Sequence, residues 1–249
     1  IDADPDAIGF ATFSLDGFPK SSSVVQSNFA NLTSVARANG FIPAHGILFD
    51  FGLSSRQLEA AGRGFSFYES KQLDMRIDPS TATTADDLVN HSIEHDLANI
   101  IYEFGEEPRS RRIAKAIVES RPITTASHLA EIVRRASGYR RGRTHPATRT
   151  FQALRIAVNH ELENLTLALN QVGNILGQGG RLVTITYHSL EDRIVKRFLQ
   201  DPDNLKSNTH PRPLTKHVIR PTRDEIKNNH RSRSARMRVA EQIKTTGST

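Results

Sequence analysis

The stretch Gly46-Ile47-Leu48-Phe49-Asp50-Phe51-Gly52-Leu53-Ser54-Ser55-Arg56-Gln57 passes from apolar residues to a carboxylate, then to a Gly/Ser loop that ends on a second polar side chain. A short apolar run bounded by glycine reads as a buried strand. In open α/β sheets, ligands occupy the crevice beyond the carboxyl ends of the strands. Asp50 and Gln57 are therefore expected to face a small-molecule site, with the hydroxyls of Ser54 and Ser55 beside Asp50.

Two other places have the same texture. Ile1-Asp2-Ala3-Asp4-Pro5 sets an acid ahead of a Pro-started helix, which is how a dinucleotide-type fold presents a carboxylate to a ribose. A solvated loop is the equally available reading. Such a strand should follow a glycine-rich turn, so the chain is expected to be a fragment that starts after its first strand-helix unit. His188-Ser189-Leu190-Glu191-Asp192 opens a helix at the end of the β-branched run Arg181–Tyr187. His188 there could orient a base or a phosphate. The plainer reading is a helix start, with Ser189 as cap and Glu191 and Asp192 favouring the N-terminus.

Charge adds a partner class. Residues 201–249 hold 11 Lys/Arg against 5 Asp/Glu, which accounts for the whole net charge of +6 and leaves the first 200 residues balanced. A second cluster, Arg134, Arg135, Arg140, Arg141, Arg143 and Arg149, contains His145 and no acid. Two basic segments on a neutral body suit a polyanion such as nucleic acid, or are simply solvated loops. The absence of cysteine excludes disulfides, thiol catalysis and thiolate-bound zinc. No His-x-x-x-His or His-Glu-x-x-His spacing is found on a helix, so no metal is expected. No apolar run approaches the roughly 20 residues that span a bilayer, so no membrane partner is expected either.

The elements that must carry these groups follow from pattern. Ser23–Gln26 reads as a short strand, and Leu32, Val35 and Ala36 mark a helix stopped by Asn39-Gly40. Residues 63–79 mix aromatics with charges without a helical period, so they must pack on something, and one wall of the crevice is the expected place. From Thr83 the texture becomes helical. Thr84 to Asp87 form an N-cap box, and helices follow at 94–105, 109–120 and 125–136. Phe151, Leu154, Val158, Leu162, Leu165, Leu169 and Val172 step by three and four, predicting the longest helix of the chain. The run from Arg231 to Ala240 reads as a basic loop entering an edge strand.

Several stretches in one order, across nearly the whole chain, resemble a single family. They are Ile1–Pro5, Gly46–Ser55, Arg63-Gly-Phe-Ser-Phe67, Leu73-Asp-Met-Arg76, Gly105-Glu-Glu107, His145-Pro-Ala-Thr-Arg-Thr-Phe-Gln-Ala-Leu-Arg155, His188–Lys196 and Arg231-Ser-Arg-Ser-Ala235. The chain resembles the RsmH/MraW-type S-adenosylmethionine-dependent methyltransferases, which modify N4 of a cytidine in small-subunit ribosomal RNA. The resemblance implies an α/β fold, a Rossmann-like class I methyltransferase core with an inserted all-helical domain. The expected division is core at 1–79, helical substrate-recognition insertion at 80–146, and core with a basic C-terminal segment at 147–249.

The resemblance further implies that Asp2, Phe29, Asp50 and Gln57 contact S-adenosyl-L-methionine, with Asp2 on the ribose and Phe29 and Asp50 near the adenine end. On residue type alone, Phe29 is a core aromatic. The sequence departs from the family in three ways: the glycine-rich first motif is absent, Arg56 stands where proline is usual, and Tyr187 replaces phenylalanine. Methyl transfer to an exocyclic amine requires alignment and an acceptor for the amine protons, a role expected of Asp50 with Ser54 and Ser55. Arg140, Arg141, Arg143, His145, Arg149, Arg231 and Arg233 are the expected RNA contacts. The expected partner is small-subunit ribosomal RNA in an assembled subunit, with a homodimer also open, in the cytoplasm or alternatively the mitochondrial matrix or another organelle. A reading of a different class is a non-catalytic RNA- or ribosome-binding relative that has lost its cofactor site.

Overall fold

The computed structural model describes residues 1–19, 21–54, 57, 62–138, 145–201 and 210–243. The chain divides into two compact units, one made of residues 1–52 and 162–249 and the other of residues 53–161. The boundaries expected at 79/80 and 146/147 both lie within the second unit.

The first unit is built on a four-stranded sheet. Its strands are β1 (Ala44–Asp50), β2 (Leu176–Thr186), β3 (Arg212–Pro213) and β4 (Arg236–Glu241), in the order β1-β2-β4-β3. The β1–β2 pair is parallel, and β4 is antiparallel to both β2 and β3. Parallel neighbours need a long crossover, and here the entire second unit is inserted in it. Helices α1 (Pro5–Ser14) and α2 (Leu32–Ala38) precede β1. Asp4 caps α1 by accepting from the Asp6 amide at 3.1 Å, with Pro5 at the first helical position. The core gathers Phe49 and Phe51 with Leu165, Leu169, Val172, Leu182, Val195 and Ala240.

Two expectations are corrected in this unit. Ser23–Gln26 forms no extended strand among the described residues and contributes one parallel bridge, Gln26 to Asp2. The Arg236–Glu241 strand is not an edge, because β2 takes one side and β3, continued by the Ile219–Met237 bridge, takes the other.

The second unit is helical: α3 (Ala85–His91), α4 (Glu94–Gly105), α5 (Ser110–Glu119), α6 (Ala126–Ser137) and α7 (Thr148–Asn159). The Thr84 capping box forms as expected, Thr84 accepting from the Asp87 amide while the Asp87 carboxylate accepts from Thr84. Leu97, Ile101, Ile113, Ile117, Leu129, Val133 and Leu154 fill the centre. Phe65, Leu73 and Met75 of the non-helical segment are buried in the same core, which explains its apolar content. Helices α4 and α7 cross closely at Gly105, where an added Cβ would stand 2.6 Å from the Arg149 carbonyl oxygen.

The single long helix predicted over 151–172 is instead two helices, α7 and α8 (Glu161–Gln171), broken at His160 in the left-handed region (φ 50°). The apolar period runs straight through the break. The cause is polar: Asn159 Nδ2 donates to the Met75 carbonyl at 2.7 Å while its Oδ1 accepts from the Ile77 amide at 2.7 Å. The Arg155 guanidinium grips Glu161 through two bonds of 2.7 and 2.8 Å across the break. No described helix is long and apolar enough to cross a membrane.

Candidate active site

The carboxyl end of β1 places Asp50 at the surface, and the neighbouring strand supplies its partner. Phe51 N donates to the Ile185 carbonyl at 2.9 Å, holding the two strand ends in register. Just beyond β2, the Tyr187 hydroxyl donates to Asp50 Oδ1 at 2.9 Å. Burial, then the Asp50 carboxylate, pushes the Tyr187 phenol up to about 12, so it remains a donor at neutral pH. The bond restrains one carboxylate oxygen and leaves further acceptor positions on Asp50. In the sequence, Tyr187 stands out only as a departure from the family. Its partner lies 137 residues away, and nothing local signals the contact.

Asp2 is exposed at its bridge to Gln26, and its Oδ1 accepts from the Asp4 amide at 2.9 Å. That bond turns the chain into the capped, Pro-started helix α1 and leaves the carboxylate at the surface ahead of it. Phe29 is partly buried. Its ring meets Phe49 and Phe51 edge-on at centroid distances of 6.4 and 5.6 Å, while those two stack at 5.1 Å. The turn bearing Phe29 is clamped by Gln171, whose Nε2 donates to the Ala30 carbonyl at 2.6 Å and whose Oε1 accepts from Thr33 N at 2.8 Å. Asn28 adds a cap on the Ala30 amide at 2.8 Å. The sequence reading missed Gln171, since on a helix it looks like any exposed polar residue.

At the second junction the structure corrects the expected cap. His188, not Ser189, is the N-cap of α9 (Ser189–Gln200): its Nδ1 accepts from the Glu191 amide at 3.4 Å, and Glu191 Oε2 accepts from the Tyr187 and His188 amides at 2.8 and 3.3 Å. Glu191 is almost fully buried, so its role is to fix the backbone that carries Tyr187. Asp192 takes two bonds from Arg238, at 2.7 and 3.1 Å, tying α9 to β4.

In the second unit, Ser54 and Gln57 are bonded reciprocally: Ser54 N donates to Gln57 Oε1 at 2.8 Å, and Gln57 N to Ser54 Oγ at 3.2 Å. Gln57 is buried. Asp50 and Gln57 thus belong to different compact units. Asp74 and Arg76 form a two-bond ion pair of 2.7 and 2.9 Å, which holds the Asp74 carboxyl below the ordinary carboxylate range. Arg149 donates to the Glu106 carbonyl at 3.0 Å and lies 3.7 Å from the Glu107 carboxylate, with its side chain still 45% exposed. His145 stacks on Phe67 at 4.6 Å. Arg231 and Arg233 sit on an exposed 3₁₀ turn, His230–Ser234, capped by Asn229. Ser55, Arg140, Arg141 and Arg143 lie outside the described residues.

Asp50 ends a strand of the parallel pair, Asp2 stands ahead of a capped helix, and Phe29 lies between them in sequence, all three in the first unit. The MraW methylase family model matches residues 1–243. The chain belongs to the MraW methylase family. It is 51% identical to ribosomal RNA small subunit methyltransferase H of Dehalococcoides mccartyi over 98% of this chain and 73% of that protein. Proteins of the same name from Thermomicrobium roseum and Synechococcus elongatus are 46% and 45% identical, over 99% and 98% of this chain and 80% and 79% of theirs. The chain is accordingly a methyltransferase, and it uses a methyl donor. The first unit is the α/β, Rossmann-like core of such an enzyme, with β4 running antiparallel between its neighbours.

Proposed function

We propose that this enzyme transfers a methyl group from S-adenosyl-L-methionine to N4 of a cytidine in small-subunit ribosomal RNA, presented in an assembled subunit. The observation that carries the reading is an exposed carboxylate, Asp50, oriented at a strand end by Tyr187. The names of the relatives support the substrate class.

The residues present fit the cofactor. Asp2 offers an exposed acceptor of the kind a ribose diol needs. Phe29, backed by Phe49 and Phe51 and only partly buried, offers an apolar surface for a purine. Gln57, buried and bonded to Ser54, belongs to the other unit. When bound, the cofactor supplies a sulfonium methyl group of high transfer potential.

The chain's own residues supply alignment and proton handling. The lone pair of a cytosine amine is delocalised into the ring, so an acceptor on its N–H protons favours the geometry needed for attack. With Oδ1 taken by the Tyr187 hydroxyl, Asp50 Oδ2 is the oxygen that accepts the amine N–H and takes up the released proton. Tyr187 stays protonated throughout, because its ionisation lies far above neutral pH. Arg231 and Arg233, exposed on their turn, supply phosphate contacts that position RNA without reading its bases.

The test is product identity. Small subunits treated with the full-length protein and labelled donor, then digested to nucleosides, should yield label in N4-methylcytidine. Label in another nucleoside would overturn the assignment. RNA binding without transfer would favour a non-catalytic binder.

A further inference from the structure

The helical unit holds an aromatic corner that ends on a ring its core does not use. Phe151, nearly buried, meets Phe67 edge-on at 4.8 Å and 79°, and Phe67 stacks on His145 at 4.6 Å and 16°. Tyr68 stands at the end of this ladder, 6.4 Å and 66° from His145, with 82% of its surface exposed. Packing accounts for Phe67. Nothing in the core accounts for Tyr68, since an aromatic ring left in water forgoes most of the stabilisation that burial gives.

The turn that displays Tyr68 is fixed. Glu69 Oε2 accepts from the Gly64 and Gly62 amides at 2.9 and 3.3 Å, and the Ser127 amide donates to the Glu69 carbonyl at 3.0 Å. Gly64 has φ 75°, and a Cβ there would stand 2.7 Å from the Gln72 carbonyl oxygen, so the turn closes only with glycine. His145 is oriented as well: its Nδ1 accepts from the Ala147 amide at 3.2 Å, which leaves the proton of the neutral ring on Nε2 as a donor.

We propose that Tyr68, beside His145 on Phe67, is a stacking platform for an unpaired RNA base. The proposal rests on the RNA reading above and adds a contact to it, a base held by the helical unit in addition to the cytidine that is methylated. Every nucleobase has a π-face, so an exposed tyrosine on a rigid turn takes one with little dependence on sequence. Charge favours RNA over an apolar peptide: in sequence, residues 134–149 carry six arginines and no acid, two of them, Arg134 and Arg135, paired with Glu131, and the partly exposed Arg149 lies four residues from His145. A base on Tyr68 lies beside the His145 ring, 6.4 Å away, whose Nε2 is a donor for its phosphates.

The test measures binding of two labelled probes to the full-length protein by fluorescence anisotropy: hexauridylate, and a ribose-phosphate hexamer without bases. Replacing Tyr68 with alanine or leucine is expected to weaken hexauridylate binding about tenfold and leave the abasic probe unchanged, with Tyr68→Phe within about twofold of wild type. Unchanged thermal melting would show that the variants fold, as the exposure of Tyr68 predicts. Equal loss on both probes, no loss on either, or no hexauridylate binding by the wild type would overturn the platform. Methyl transfer by the wild type, assayed in parallel, separates the two readings. Transfer with unaltered binding by Tyr68→Ala sinks the platform alone, whereas base-dependent binding without any transfer sinks the enzymatic reading alone.

Discussion

The Tyr187 hydroxyl and Asp50 Oδ1 are joined by a 2.9 Å hydrogen bond across the ends of the parallel pair β1–β2. Asp50 terminates one strand, and Tyr187 follows the other, held by a capping box whose Glu191 accepts from the Tyr187 amide. One side chain is thus positioned by the backbone of two strands and a helix start.

Tyr187→Phe removes the donor and keeps the ring. Methyl transfer is expected to slow about three- to tenfold, a hydrogen bond's net worth, through kcat with KM for the subunit unchanged. The phenol should titrate with a midpoint near 12, against about 10 for an ordinary tyrosine, in a difference titration between wild type and variant. Because the folded value is raised, this bond contributes stability in full below about pH 10 and loses it as pH climbs through the folded value.

Asn159→Ala takes away the pair of bonds to Met75 and Ile77 that interrupts the α7–α8 run. Two backbone groups lose their partner, so a cost of about 2–3 kcal/mol is expected, seen as a lower denaturant midpoint. An unchanged midpoint would show that the break is set elsewhere.

Gly105→Ala forces a methyl group against backbone, the Arg149 carbonyl, which cannot swing away as a side chain can. A loss of about 2 kcal/mol or more is expected, with the α4–α7 crossing opened. Thermal melting of the variant reads it directly.

Asp74→Asn weakens the grip on Arg76, which also donates to the Pro79 and Thr81 carbonyls. The folded carboxyl is held below its ordinary range, so its contribution is present above that range and disappears as pH falls through the lowered value. The pair is partly exposed, so about 1 kcal/mol at neutral pH is expected after screening. The difference between wild type and variant should vanish in acid.

Local signals were legible in the sequence. The Thr84 box, the Asn39-Gly40 stop and the helix at residues 94–105 depend on neighbours a few residues apart, and each stands as read. What failed was set at a distance. The apolar period continues through His160, where Asn159 reaches 84 and 82 residues back to Met75 and Ile77 at the break. The β4 strand looked like an edge because the strand covering it, β3, is two residues long and includes a proline. The strand-end position of Asp50 is legible because a carboxylate after an apolar run is a local pattern. Its donor Tyr187, and the Gln171 clamp behind Phe29, could not be, because each depends on which strands and helices become neighbours.

Whether Asp50 handles the amine is tested by single-turnover methyl transfer to assembled small subunits by wild type and Asp50→Asn, with cofactor affinity measured separately. The account predicts a drop of about a hundredfold or more in the transfer rate with cofactor binding within a few-fold of wild type. Normal turnover by Asp50→Asn, or a loss explained entirely by weaker cofactor binding, would contradict it.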